Sequence, residues 1–245
     1  MTIIAHPVPG KSKAKVICDA FLEGAPRDAK GHVFYGVNDL NVAEWRKVKA
    51  SGEDYWFVDN SYFDVVRGGK ASRGSTAQFR ITKNAVQHSG LGETDGKRFA
   101  ALGVEIKPWR TGGRTVVICP QSDDFMRNVA EYKGDWLKDT LRGMIQRESV
   151  KVKIREWGRD KLTAASTLEA DLEDCGALLT YSSAAAVTAV LAGVPAITNP
   201  VSPVYGLVQR EAAGVDDRLR WAGVLADNQF TLDEIAEGKA WKRIK

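Results

Sequence analysis

Leu178-Leu-Thr-Tyr-Ser-Ser-Ala-Ala-Ala-Val-Thr-Ala-Val-Leu-Ala-Gly-Val-Pro-Ala-Ile-Thr198 is the stretch whose reading decides the fold. Its apolar opening, together with Ala177 just before it, reads as a buried strand from Ala177 to Tyr181. The small-residue run from Ala184 to Ala192 reads as a helix, and Val194 to Thr198 as a short strand beyond it. Gly193 suits the left-handed residue that ends a helix. A strand that passes straight into a helix leaves the first backbone N–H groups of that helix without intrahelical partners, at the positive end of its dipole. Ser182, Ser183 and Ala184 are small enough to let a ligand reach those groups, so a phosphate is the expected guest. On these residues alone a plainer alternative stays open: Ser182 caps the helix and the alanines allow close packing.

Outward from this stretch the pattern repeats. Leu168 to Leu172 reads as a short helix, Val150 to Ile154 as a strand, and Trp136 to Gln146 as a helix with Trp136, Leu137, Leu141, Met144 and Ile145 on one face. Arg114 to Cys119 is a strongly apolar strand that ends in Pro120-Gln-Ser-Asp. Strands alternating with helices predict a parallel sheet with crossover helices. Open sheets of this kind bind ligands at the carboxyl ends of their strands, which is where Gln121 and Ser122 fall. Lys153 and Arg155 share one face of their strand. They offer the fixed positive charge that a diphosphate requires where no Asp-x-Asp metal site is present.

The first half reads less sharply. Lys15 to Asp19, His32 to Val37, Tyr55 to Asp59 and Gln78 to Thr82 are the expected strands. Asn41 is the expected N-cap of a helix from Val42 to about Ala50. Gly68 to Ser75 and Ser89 to Lys97 are rich in Gly and polar residues and read as loops. Asp19 and Asp59 then both end strands, and either carboxylate suits a general base that takes a proton from a hydroxyl. Asp59-Asn60-Ser61-Tyr62 is the denser polar cluster. Arg80 is placed to contact phosphate or pair with Asp59, and His88 is a weaker base candidate. A simple Asx-turn is the competing reading of both aspartates.

The character changes near Trp109-Arg-Thr-Gly-Gly113, so the expected organisation is an α/β lobe over 1–112, a second over 113–206, and a helical tail over 207–245. Thr231-Leu-Asp-Glu234 opens the last helix as a capping box. Two small Rossmann-like lobes with a cleft between them are the expected architecture.

Composition narrows the function classes. The 245 residues are 44% hydrophobic and 27% charged, the balance of an ordinary globular protein, and no apolar run reaches the length of a membrane span. The start, Met1-Thr-Ile-Ile-Ala-His6, lacks the basic-then-apolar pattern of a secretory leader. Cys18, Cys119 and Cys175 are widely spaced and lie in or beside apolar runs, which predicts buried free thiols and a cytoplasmic protein. Three histidines and three scattered cysteines argue against a dedicated metal site, and none is expected. A Gly-x-x-x-x-Gly-Lys-Ser/Thr phosphate loop and a Gly-x-Ser-x-Gly elbow are both missing. The net charge of +4, with Lys11, Lys13 and Lys15 clustered and Lys151, Lys153 and Arg155 alternating, is compatible with a polyanionic partner.

The Ser-Ser, small-residue helix and Gly-x-Pro of Ser182 to Pro195 resemble the second-lobe signature of GT-B glycosyltransferases, particularly capsule-polysaccharide-type and small phage-type members. Arg218-Leu-Arg-Trp221 and Asn228-Gln-Phe-Thr-Leu-Asp-Glu-Ile235 also resemble the tail of such proteins. The similarity covers roughly residues 114 to 240 and is weaker around Asp59 to Arg80. It implies a metal-independent glycosyltransferase that uses a nucleotide sugar, a UDP-sugar above all, as co-substrate with no further cofactor. Its donor would lie on Ser182, Ser183, Ala184, Lys153, Arg155, Gln121 and Ser122. Its acceptor would lie near Asp59, Asn60, Arg80 and Asp19, and a hydroxymethylated base in double-stranded phage DNA is one acceptor it suggests. Thr188 stands where many relatives carry an acidic ribose ligand. That departure keeps two alternatives in view: a non-catalytic nucleic-acid-binding or regulatory module, and a nucleotide-sugar epimerase.

Overall fold

The computed structural model describes residues 3–144, 151–155, 166–208 and 213–244. Ile145, Gln146 and Val150, which the sequence assigns to a helix and a strand, lie outside them. The chain divides into two compact units, Met1–Val104 with Arg220–Lys245, and Glu105–Leu219. Both are Rossmann-like mixed α/β structures with parallel-rich sheets.

In the first unit β1 (Ile3–Pro7), β2 (Gly31–Tyr35), β3 (Tyr55–Asn60), β4 (Gln78–Lys83) and β9 (Gln229–Thr231) lie side by side in that order. β1, β2 and β3 are parallel, whereas β4 is antiparallel to both β3 and β9. Helix α1 (Ser12–Gly24) follows β1, α2 (Val42–Ser51) follows β2, and the short α3 (Lys97–Ala101) lies beyond β4. The segment Lys15 to Asp19, expected to be the first strand, is the middle of α1. Ala14, Ile17, Cys18, Ala20 and Phe21 are its buried residues, a helical spacing that the short apolar run Val16-Ile-Cys concealed. The first strand is Ile3–Pro7 instead.

The two faces of this sheet carry different cores. Ile17 and Phe21 of α1 pack with Val33, Trp56, Val58, Phe79 and Ile81, while Trp45 and Val48 of α2 pack with Phe34, Tyr55 and Phe57. Each such side chain contributes about 1.5–3 kcal/mol on burial. Alternate strand residues point to opposite faces, so α1 and α2 cover opposite sides. Both steps across the sheet run the same way, β1 to β2 to β3. Helices on opposite sides therefore give the two crossovers opposite hands, one of them the rare left-handed form.

Residues 220–245, expected within a separate helical tail, complete this first unit. β9 pairs Phe230 with Phe79 and Gln229 with Arg80. Leu232 and Ile235 of α10 (Leu232–Ala236) join the core shared with α1, as do Ala240 and Ile244. Thr231 and Glu234 form the expected capping box. A three-residue strand between two helices leaves too short a pattern to read, and its partner β4 is distant in sequence.

In the second unit β5 (Thr115–Ile118), β6 (Lys151–Ile154), β7 (Cys175–Leu179) and β8 (Ala196–Ile197) form a wholly parallel sheet in the order β6-β5-β7-β8. Its helices are α4 (Asp123–Asn128), α5 (Trp136–Met144), α6 (Leu168–Leu172), α7 (Ala185–Leu191) and α8 (Tyr205–Val208). The next helix, α9 (Val215–Asp227), contains the second boundary between the units. Gly193 follows α7 with φ +77, and a Cβ there would lie 1.9 Å from the Pro108 carbonyl oxygen, so only glycine fits. Arg218 is buried with its guanidinium 4.1 Å from the Trp109 ring, and donates to the carbonyls of Lys107 and Val190. In the Arg-x-x-Trp sequence, Arg218 is thus an architectural residue and Trp221 a buried one.

All three cysteines are buried free thiols, and burial pushes Cys18 and Cys119 up to about 12. No helix among the described residues is long and apolar enough to cross a membrane.

Candidate functional site

The second unit offers the better-defined site. After β5 the chain steps to one side to form β6, then crosses back to form β7 on the other side of β5. The strand order therefore reverses at β5, and the carboxyl ends of β5 and β7 flank the switch point at which open parallel sheets take their ligands. Gln121, just past β5, donates its side-chain amide to the Ser182 hydroxyl, just past β7, at 2.9 Å. Ser182 is 1% exposed. Beneath this pair Thr180 donates its hydroxyl to the Cys119 carbonyl at 2.6 Å, so the two strand ends are tied twice.

The turn into α7 is largely self-satisfied. The Ser183 amide donates to the Thr180 hydroxyl, the Ala185 amide to the Ser183 hydroxyl, and the Ala186 amide to the Ser183 carbonyl. Ala184 precedes the helix as N-cap and gives no side-chain cap. Three of the amides that an anion would use thus already hold the turn together, and the Ser183 hydroxyl is engaged as an acceptor. Ser122, a residue further from β5 than Gln121, is the N-cap of α4 and accepts from the Phe125 amide at 3.3 Å. Tyr181, next to Ser182, has the rings of Phe125, Tyr132 and Trp136 packed edge-on against it at 6.2–6.5 Å.

Lys153 and Arg155 come together as the alternation requires, but on a residue the sequence reading missed. Asp171 of α6, its side chain 1% exposed, accepts from Lys153, from Ser166 and from Arg155, the last at 2.6 Å. Burial alone would raise its carboxyl; the hydrogen bonds from Lys153, Ser166 and Arg155 outweigh that and hold it below the usual carboxylate range. The available signal was Asp171 on a short helix beside two same-face cations. Two cations on one carboxylate leave this cluster one positive charge in surplus.

In the first unit Asp59 and Arg80 face each other across β3 and β4. Arg80 donates to Asp59 Oδ2 at 2.6 Å and to the Asn60 carbonyl at 2.7 Å, and the Asn60 amide donates to Asp59 Oδ1 at 2.7 Å. Both carboxylate oxygens are therefore engaged. The Arg80 guanidinium also lies 4.8 Å from the Tyr62 ring. Beside it the Gln229 side chain accepts from the Tyr62 amide at 2.5 Å. Arg80 Nε and Gln229 Nε2 are buried without an acceptor among the described residues, an unusual cost in a folded core.

Asn60 points to the other face, where its side-chain carbonyl accepts from Lys13 at 3.0 Å and from the Tyr35 hydroxyl at 3.4 Å. Burial lowers Lys13 below the ordinary lysine value, against the pull of Asp59. Lys13, read only as part of a basic run, is thus turned into the unit. His88 is lowered by burial, and its Nδ1 accepts from the Gly90 amide at 3.0 Å.

Asp19 does not join this group as a strand-end carboxylate. It sits in α1, exposed, and pairs with Lys15 at 2.6 Å one helical turn away. Among the described residues no group of three or more His, Cys, Asp or Glu side chains is placed to hold a metal ion. No protein-family profile and no curated protein sequence matches the chain.

Proposed function

We propose that the protein is a metal-independent glycosyltransferase of the two-lobed GT-B type, acting in the cytoplasm on a nucleotide sugar, foremost a UDP-sugar. The observation that carries this reading is the Gln121–Ser182 pair at the switch point of a wholly parallel sheet. In this reading the second unit binds the donor. The surplus charge of the Lys153/Arg155/Asp171 cluster and the polar strand ends at Gln121, Ser122, Ser182, Ser183 and Ala184 favour the departing diphosphate. The first unit binds the acceptor hydroxyl, for which a hydroxymethylated base in double-stranded phage DNA is the leading candidate. The acceptor oxygen bonds to the anomeric carbon, the carbon–oxygen bond to the diphosphate breaks with its electron pair on the phosphate, and Asp59 takes the acceptor proton. Arg80 and Asn60 hold that carboxylate in place.

The test is thermal unfolding with UDP- and GDP-sugars, followed by turnover with and without hydroxymethylated DNA. A rise in Tm with one donor, reduced in Gln121→Ala, is expected together with sugar transfer. A second reading, a nucleic-acid-binding module without catalysis, is favoured by one observation: both oxygens of Asp59 are already engaged. No shift and no turnover with any donor, alongside DNA binding that weakens steeply with salt, would replace the first reading by the second.

A further inference from the structure

The first unit holds a pair of histidines that the reading above does not use. His6 is on β1 and His32 on β2, and in the parallel register Ile4 lies opposite His32 and His6 opposite Phe34. Alternation puts both imidazoles on the α2 side of the sheet. His6 Nε2 and His32 Nδ1 are 2.9 Å apart, and the ring planes differ by 25°. That gap is closer than the roughly 3.5 Å of ring–ring van der Waals contact, so the two nitrogens meet as donor and acceptor of one hydrogen bond. A single proton occupies such a bond. If both imidazoles are protonated, two N–H groups and two positive charges confront each other across it.

We propose that His6 and His32 are a proton-sharing pair that fastens the edge strand β1 to the sheet at neutral pH and loosens it when a second proton arrives. β1 is the outermost strand, with β2 as its neighbour in the sheet, and Ile4 is exposed on it. Its attachment rests on the ladder to β2, on the buried Ile3, and on the Asn41 side chain donating to the His6 carbonyl at 3.4 Å. The neutral Phe34 ring stacks on His6 with centroids 4.5 Å apart, and the His32 amide donates to the Asp54 carbonyl. The charged groups around the pair come from α2 and the turn after it. Glu44 lies near His6, and Glu53 is 3.4 Å from His32 Nε2 with Lys47 acting on it in turn. Glu53 is exposed and well placed to stabilise one imidazolium, the one on His32, but not two.

Burial and then the neighbouring His32 hold His6 below the ordinary histidine value, against the opposing pull of Glu44. A histidine with a lowered folded value binds fewer protons when folded than when unfolded. Its contribution to strand attachment is complete above the unfolded value of about 6.5 and is lost as pH falls below it.

The test is an NMR titration of the full chain labelled in its three histidines, with amide hydrogen exchange of β1 followed in parallel. The expected result is that His6 takes up its proton below the ordinary histidine value and that this step moves the ring resonances of its partner across the hydrogen bond as well, while His88 titrates by itself. Protection factors of the β1 amides fall about tenfold or more between about pH 7.5 and about pH 5, while those of β3 hold. In His6→Asn the β1 protection becomes independent of pH over that range. Protonation of His6 that leaves the ring resonances of His32 unmoved, or β1 protection in the wild-type chain that does not change with pH, would overturn the proposal. Those wild-type measurements decide it even if His6→Asn does not fold. Nucleotide-sugar binding plays no part in the readout, so the outcome is separate from the fate of the glycosyltransferase reading.

Discussion

Gln121 and Ser182 join two neighbouring strands through one hydrogen bond of 2.9 Å, although 60 residues of chain separate them. Ser182 is buried, so Gln121→Ala takes a hydrogen-bond donor from a buried hydroxyl. We expect a loss of about 1 kcal/mol in urea unfolding of the second unit. Gln121→Glu, which brings a charge to the same buried hydroxyl, is expected to cost more. A Gln121→Ala chain as stable as wild type would remove the structural role of the pair.

Asp59→Asn separates a positioned base from an ion-pair partner. Arg80 is 7% exposed on its side chain and Asp59 35%. Breaking a fully buried pair costs about 3–5 kcal/mol; partial exposure of Asp59 brings the expectation down to about 2 kcal/mol. The measurement is denaturant unfolding of Asp59→Asn against the double variant Asp59→Asn/Arg80→Met. The double variant is expected to recover part of the loss, because no guanidinium is then left buried without its anion.

Asp171 predicts an acid limit for the second unit. Its folded value is lowered, so its contribution is present above the ordinary aspartate value of about 3.9 and is lost as pH drops below that toward the depressed value. Unfolding midpoints measured down through this range should fall more steeply for wild type than for Asp171→Asn. At neutral pH the variant is expected to be less stable by about 1–3 kcal/mol, a range set by the partial exposure of Lys153 and Arg155.

Gly193→Ala combines a left-handed backbone with a collision against the Pro108 carbonyl. Strain at such a position alone costs about 1 kcal/mol, and a backbone clash adds to it. We expect a clear drop in Tm by calorimetry, whereas Gly112→Ala, also left-handed but facing open space, pays only the conformational part.

The second unit was legible because its elements are local. Ala185–Leu191, Leu168–Leu172 and the strand ahead of Ser182 each carry a complete pattern within a few residues, and the predicted strands and helices reappear there with ends that coincide or shift by one or two positions wherever both fall on described residues. The first unit was less so. Val16-Ile-Cys imitates a strand only if the buried Phe21 and Ala14 around it are overlooked, and that error moved Asp19 to a strand end it does not occupy. Tail residues were read as helical because the pairing of Phe230 with Phe79 spans 151 positions and leaves no local trace. At the candidate sites, charge spacing grouped Lys153 with Arg155, and both side chains meet on Asp171. It left Asp171 unread, since a lone aspartate in a short helix looks like any solvated carboxylate until it is set against the two same-face cations.

The return of residues 220–245 to the first sheet has a consequence for the order in which the molecule is made. During synthesis the second unit emerges complete while β4 still lacks β9 and α1 still lacks α10. Until Arg220–Lys245 leave the ribosome, the nascent chain presents an unpaired strand edge at β4 and an uncovered apolar flank on α1. Truncation ahead of Arg220 therefore removes no appendage; it leaves the first unit with an open strand edge and an uncovered core.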